Sequence, residues 1–299
     1  MGKNKLKFIT EIASTHNGKV CVVKKIFKKH LSSGSDYIKF QLLNTKELYE
    51  ASSKLTKHFK KLEIPNIEIE KIILEYHKKT NIILEIFDEK SYEFANKFSK
   101  IVSIKISCSE ADNLKLIINA CKNFNKIFIN FSGYELNEIK KILLKLKKFR
   151  KKLILLYGFQ SFPSSSSDLR YSLFDYFKKN NFTFGYSDHT HYKNRDELIF
   201  TTTVALTKGA SFIEKHVCIK QKSKPPDYIS ALEFKEFSFY IKETRAMFLN
   251  IFKNTLDLSK KELKYKYTMR KFLIYDKIIK KYKFLRTNKS KVSRLSKLN

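Results

Sequence analysis

The chain has 299 residues, 42% of them hydrophobic, and a formal net charge of +32. That length and apolar content suit one large core of the size α/β barrels build as a single domain, and no apolar run approaches the roughly 18 residues of a membrane span. Four cysteines, Cys21, Cys108, Cys121 and Cys218, lack Cys-x-x-Cys spacing, which argues against a zinc ribbon or disulfide framework and for a reducing, cytoplasmic setting.

Apolar, β-rich runs recur along the chain, and most are followed by an amphipathic stretch. Residues 7–13 predict a first strand, followed by a helix over 22–31. A second strand is expected at 37–41. A longer polar segment follows and ends in a helix over 67–78. Strands at 81–87, 103–107 and 126–130 come next, with a helix over 113–123 between the last two. Leu136, Ile139, Leu143 and Leu146 mark one face of a further helix. A strand at 152–157 leads through the serine run 164–167, a loop, to a helix over 169–179. Strands at 183–187 and 212–216 complete the set, followed by helices over 195–208 and 233–252. Eight such strands in order predict a (β/α)8 TIM barrel over residues 1–254. The runner-up, an open doubly wound sheet, usually carries a Gly-rich loop after its first strand, and none is present. Residues 255–299 read as a basic linker and small appendage, with a strand-like piece at 272–275.

The positive charge is dispersed, as in Lys24-Lys25, Lys140-Lys141 and Lys147-Lys148, so it reads as a solvated surface and not as a specific nucleic-acid interface. The basic start Met1-Gly2-Lys3-Asn4-Lys5 lacks a signal-peptide core. Leu6 stands where a myristoylation signal would need Ser or Thr. No membrane partner is expected.

In a barrel, side chains at the C-terminal strand ends form the mouth. Polar residues collect at those positions: Glu11; Lys39 and Gln41; Glu85 and Asp88; Lys105 and Ser107; Ser132; Gln160; Ser187, Asp188 and His189; Glu214, Lys215 and His216. His189 and His216 each close an apolar strand, a placement that suits one divalent metal between neighbouring strands. A strand-end histidine serves equally as a hydrogen-bonded structural residue. Lys39 and Lys105 inside strands suggest an anionic ligand, since a buried lysine needs a partner, or else they snorkel outward. Asn17-Gly18 is simplest as a turn, and Asp227 as a loop residue.

The chain also resembles a known family. Thr10-Glu11-Ile12-Ala13, His16-Asn17-Gly18, Lys39-Phe40-Gln41, Lys105-Ile106, Ser132-Gly133, Gly185-Tyr186-Ser187-Asp188-His189-Thr190, Glu214-Lys215-His216 and Pro226-Asp227 occur in order, over about residues 7–295. Together they resemble the sialic acid synthases, the phosphoenolpyruvate-dependent nonulosonate synthases. The resemblance implies condensation of phosphoenolpyruvate with an N-acetylated hexosamine such as N-acetylmannosamine, giving a nine-carbon 2-keto acid and phosphate. It implies His189 and His216 as ligands of Mn2+, or of Mg2+ or Co2+. Glu11, Lys39 and Lys105 would carry the chemistry beside them. Gln41, Asp88, Ser132, Gln160, Ser187 and Asp227 would bind substrate. It further implies a homodimer in which a small antifreeze-like (SAF) domain caps the partner's site. Residues 270–294 resemble only the beginning of that domain, with Arg294 the nearest candidate for its sugar-binding arginine.

The chain departs from the family pattern at several places. Leu84-Glu85-Ile86-Phe87-Asp88 stands for Ser-Thr-Pro-Phe-Asp, Ser107-Cys108 for Ala-Ser and Phe131 for Ser. Gly158-Phe159-Gln160-Ser161-Phe162-Pro163 is a variant of the loop after the sixth strand. Glu85 would repel an anionic ligand unless paired or turned away. These changes leave an alternative: a catalytically degenerate member that binds a phosphosugar or serves as a structural subunit.

Overall fold

The computed structural model describes residues 5–48, 50, 52–252, 257–269, 271–276 and 280–286. The chain falls into two compact units, Met1–Ile251 and Phe252–Asn299. In the first, the order is β1 (Lys7–Glu11), α1 (Val20–His30), β2 (Tyr37–Gln41), α2 (Thr45–Leu48), α3 (Lys54–Lys60), α4 (Asn66–Tyr76), β3 (Asn81–Ile86) and α5 (Glu89–Asn96). There follow β4 (Ser103–Ile106), α6 (Leu114–Asn123), β5 (Ile127–Asn130), α7 (Leu136–Lys145), β6 (Leu153–Tyr157) and α8 (Ser172–Lys179). The unit ends with β7 (Thr183–Asp188), α9 (Arg195–Lys208), β8 (Phe212–Cys218), β9 (Ala231–Glu233) and α10 (Phe234–Ile251). The second unit holds α11 (Lys260–Met269) and an antiparallel pair, β10 (Lys271–Asp276) and β11 (Lys281–Arg286). Arg294 lies outside the described residues.

Strands β1 to β8 pair in sequence order, all parallel, and β1 also pairs with β8, which closes the barrel. The expected (β/α)8 architecture is therefore the observed one. The short β9 adds alongside the end of β8, opposite His216–Cys218.

Strand side chains alternate between the barrel interior and the helix layer. Phe8, Ile38, Leu84, Ile104, Ile129 and Leu155 belong to the large core that includes helix residues such as Phe27, Ile73 and Ile117. The opposite parity gives a separate apolar cluster of Ile9, Tyr37, Ile83, Phe128, Ile154, Leu156 and Phe212, which plugs the barrel. Gly185 makes room for that plug. A Cβ there would lie 2.6 Å from Phe212 Cβ and 2.9 Å from Leu156 Cδ2. One step further along the strands the interior turns polar, and that change positions the site.

Two features escape the periodicity. Helix α5 is short and mostly polar, so its buried residues Tyr92, Phe94 and Ala95 give a weak repeat. Its signal is the cap: Asp88 Oδ1 accepts from Ser91 N at 2.7 Å, and Ser91 Oγ accepts from Asp88 N at 3.1 Å. Helices α2 and α3 fill the segment expected only as polar.

On the outer face, His30 joins β1 to the entry of β3. Its Nδ1 lies 2.8 Å from Thr10 Oγ1, and its Nε2 2.7 Å from Thr80 Oγ1. Burial pushes its pKa down to about 4, against an opposing pull from Asp36. Between pH 6.5 and about 4 the unfolded chain takes up a proton that the folded chain refuses. The stability present above that window is lost through it, by about 3 kcal/mol for this one group. His30→Gln is expected to flatten that part of the acid slope, read from urea midpoints at neutral pH and near pH 4.5. The low pKa values of His16 and His189 leave a residual slope. Gly185→Ala is expected to lower stability by ~1–3 kcal/mol in the same assay, because backbone and plug atoms must move to admit the methyl.

Candidate active site

Above the apolar plug, five charged side chains from neighbouring strands meet inside the barrel. Lys39 Nζ pairs with Glu11 Oε2, with Glu85 Oε2 at 2.5 Å and with Glu214 Oε1 at 3.4 Å. Lys105 Nζ lies 2.8 Å from Glu214 Oε1 and 3.4 Å from Glu85 Oε1. Strand register brings them together. Glu11 is opposite Lys39, and Glu85 stands between Gln41 and Lys105. Gln41 Nε2 donates to Glu85 Oε2 at 3.3 Å. The other oxygen of Glu11 accepts from Ala13 N at 2.5 Å, which holds a turn where Ala13 takes φ 44°.

No member of this layer is more than 6% exposed at its side chain. Burial works against each charge, but the opposite charges are close enough to outweigh it at most positions. Burial pushes the Glu214 carboxyl up, and Lys105 and Lys39 overcome this to hold it at about 2. Glu85 is likewise held below the ordinary carboxylate range by Lys105 and Lys39 despite burial. Lys105 is raised, because Glu214 and Glu85 outweigh burial. Lys39 is lowered by burial, which Glu214 and Glu85 oppose.

The two histidines lie at the edge of this layer, with ring centroids 5.2 Å apart. His216 stands opposite Glu11 across the β1–β8 pairing. His189 Nδ1 lies 2.8 Å from the carbonyl of Phe159. Donation to that carbonyl leaves the Nε2 lone pair free to ligate. His216 Nδ1 is buried without a hydrogen-bond partner. Burial lowers His189 to about 4, and burial with neighbouring His189 puts His216 well below its ordinary value. Both are neutral imidazoles, the form that binds metals. Two neutral rings and an orphaned ring nitrogen fit a divalent ion. No group of three or more His, Cys, Asp or Glu suited to a metal occurs among the described residues. The other positions around such an ion would fall to solvent or substrate oxygens. Phe162 covers the pair, stacked on His216 at 5.4 Å and edge-on to His189 at 4.8 Å.

The remaining predicted residues divide. Ser187 stands beside Glu214 in the β7–β8 register, and its buried Oγ has no partner, so it is free to donate to a ligand. Ser132 is buried after β5, and its N–H donates to Asn130 Oδ1 at 2.8 Å. Asp227 has φ 62° and ties the rim by accepting from Ser14 N at 3.0 Å, and burial raises its pKa. One oxygen of Asp88 is used in capping α5, while Oδ2 is buried and unpartnered. Gln160 is exposed on the loop after β6.

Sequence reasoning did not single out Asn130; it placed Glu85 and Glu214 at the mouth, with Glu85 paired or turned away, but did not name their partners. Parity could have found Asn130 as well, since all three stand two residues beyond the plug residues Phe128, Ile83 and Phe212. Lys215 has the other parity. It pairs with Asp188, and its Nζ donates to the Thr190 carbonyl at 3.0 Å, outside the charged layer.

Comparison with known proteins gives a consistent set. The NeuB family model matches residues 26–254. The chain is 27% identical over 300 residues to the N,N'-diacetyllegionaminic acid synthase of Campylobacter jejuni, covering 93% of this chain and 86% of that protein. It is 21% identical to the N-acetylneuraminate-9-phosphate synthase of Mus musculus, covering 82% and 70%. The crystal structure of the N-acetylneuraminic acid synthetase of Leptospira borgpetersenii has the same fold. Its TM-score is 0.78 at 21% identity, covering 90% of this chain and 96% of that one.

Removing one cation from the charged layer strands carboxylates in a dry site. Lys105→Met is expected to destabilise the barrel by ~3–5 kcal/mol at neutral pH, measured by urea denaturation.

Proposed function

The chain belongs to the NeuB family, and from that premise we propose that it condenses phosphoenolpyruvate with an N-acetylated hexosamine. The products are a sialic-acid-like nonulosonate and phosphate, with N-acetylmannosamine and di-N-acetylated hexoses as the acceptors to test. The observation that carries this reading is the juxtaposition of a buried lysine pair with two neutral, adjacent imidazoles at one barrel mouth.

The condensation forms a bond between carbon 3 of phosphoenolpyruvate and the aldehyde carbon of the open-chain sugar. Water adds at carbon 2, and phosphate leaves by C–O cleavage. Lys39 and Lys105 neutralise the phosphate and carboxylate of the bound substrate. Ser187 donates its unpartnered hydroxyl to the same ligand, and Asn130 fixes the Ser132 backbone beside it. Glu11 positions Lys39 and, through Ala13, the turn at the rim. Phe162 excludes water from the imidazole faces. When bound by His189 and His216, a divalent ion such as Mn2+, Mg2+ or Co2+ supplies Lewis-acid polarisation of the acceptor carbonyl.

A cytoplasmic homodimer belongs to the same reading and rests on the family resemblance. No helix among the described residues is long and apolar enough to cross a membrane. A second reading, a family member that binds a phosphosugar without turnover, is favoured by one observation: Glu85 already lies on both lysines.

Phosphate release from phosphoenolpyruvate, with Mn2+ and a panel of N-acetylated hexoses, separates the two. Release that needs one sugar and falls at least ~100-fold in His189→Ala is the expected result. Binding of phosphoenolpyruvate without release by any sugar would favour the second reading.

A further inference from the structure

The charged layer is unbalanced. Glu11, Glu85 and Glu214 set three carboxylates against the two ammonium groups of Lys39 and Lys105. Glu11 and Glu214 by themselves would neutralise the lysines. Glu11 faces Lys39, while Glu214 reaches Lys39 at 3.4 Å and Lys105 at 2.8 Å. Glu85 is the surplus. One of its oxygens is 2.5 Å from Lys39 and the other is 3.4 Å from Lys105, so its carboxylate bridges the two cations as a bound oxyanion would. Gln41, its neighbour on β2, steadies it with a donated hydrogen bond at 3.3 Å.

Resting on the phosphoenolpyruvate reading above, we propose that Glu85 is the specificity-determining residue of this anion seat. It occupies the bridge between Lys39 and Lys105, and a substrate anion binds there only by displacing it. An anion entering while Glu85 stays in place meets a layer that already carries one excess negative charge, in a dry interior where like charges repel strongly. Weakly charged ligands are thereby excluded, and a phosphate ester must supply enough charge to replace the carboxylate on both lysines. Glu85 is thus a positioning residue in the empty protein and a competitor in the liganded one.

The test is calorimetric titration of the full-length protein with phosphoenolpyruvate, and separately with inorganic phosphate, in wild type, Glu85→Gln and Glu85→Ser. Circular dichroism establishes that each variant is folded. The Gln variant keeps the volume and loses the charge, while the Ser variant loses both. Both variants are expected to bind phosphoenolpyruvate ~tenfold or more tightly than wild type, and Lys39→Met in the Glu85→Gln background to lose that gain. Unchanged or weaker binding in both variants, with measurable binding in wild type, overturns the competitor role and leaves the synthase reading standing. Tighter binding in Glu85→Ser alone overturns it too, because the barrier would then be bulk and not charge. No binding of phosphoenolpyruvate by any of the folded proteins overturns the reading and the proposal together.

Discussion

The structure depends on a requirement imposed by burial: Lys39 and Lys105 lie inside the barrel and cannot stay charged without anions beside them. The resident anions come from three strands, with Glu11 on β1, Glu85 on β3 and Glu214 on β8. Parallel pairing with a fixed register is what delivers them to one level. A slip of one residue on any of these strands would send its carboxylate to the helix layer and take one anion away from the lysines. The charged layer therefore adds to the constraint that the apolar plug beneath it places on the barrel's register.

The plug and the layer divide the work along each strand. Ile9, Ile83 and Phe212 fill the barrel, and the residue two positions on in each strand carries a carboxylate. The plug keeps water from the underside of the ion pairs, which strengthens them. On the upper side the imidazoles of His189 and His216 are kept neutral by the same burial and are covered by Phe162. The lysines of β2 and β4 and the imidazoles at the ends of β7 and β8 thus face one mouth while offering opposite chemistry, cationic on one side and electron-pair donation on the other. The β8 triplet couples the two. Glu214 pairs with the lysines, Lys215 turns outward to Asp188, and His216 turns back to the histidine pair.

Much of this was legible in the chain because strand ends in a barrel have a fixed meaning. His189, His216, Lys39 and Lys105 stand out as polar residues in or just after apolar runs, and the structure gathers them at one mouth. What could not be read was the partner of each. Glu85 stands one strand from Lys105 and one from Lys39, a relation that exists only after β2, β3 and β4 have paired. Asp88 carries the same ambiguity in another form. A carboxylate at a strand end fits a ligand site, but one placed just before a helix fits a cap, and one of its oxygens serves α5. Helix α5 was itself invisible to periodicity, because its eight residues give too short a repeat.

The role proposed for Glu85 follows from the same requirement. A barrel that binds dianions through buried lysines must satisfy those lysines when no ligand is present, and resident carboxylates are the available means. Two would restore neutrality, while the third places its charge on the bridge that an oxyanion would take. In the proposed role it exchanges ligand affinity for a site whose two lysines are both paired at rest and that is closed to weakly charged molecules. On this proposal, the residue least expected beside an anionic substrate is, in the empty protein, the one that occupies the substrate's place.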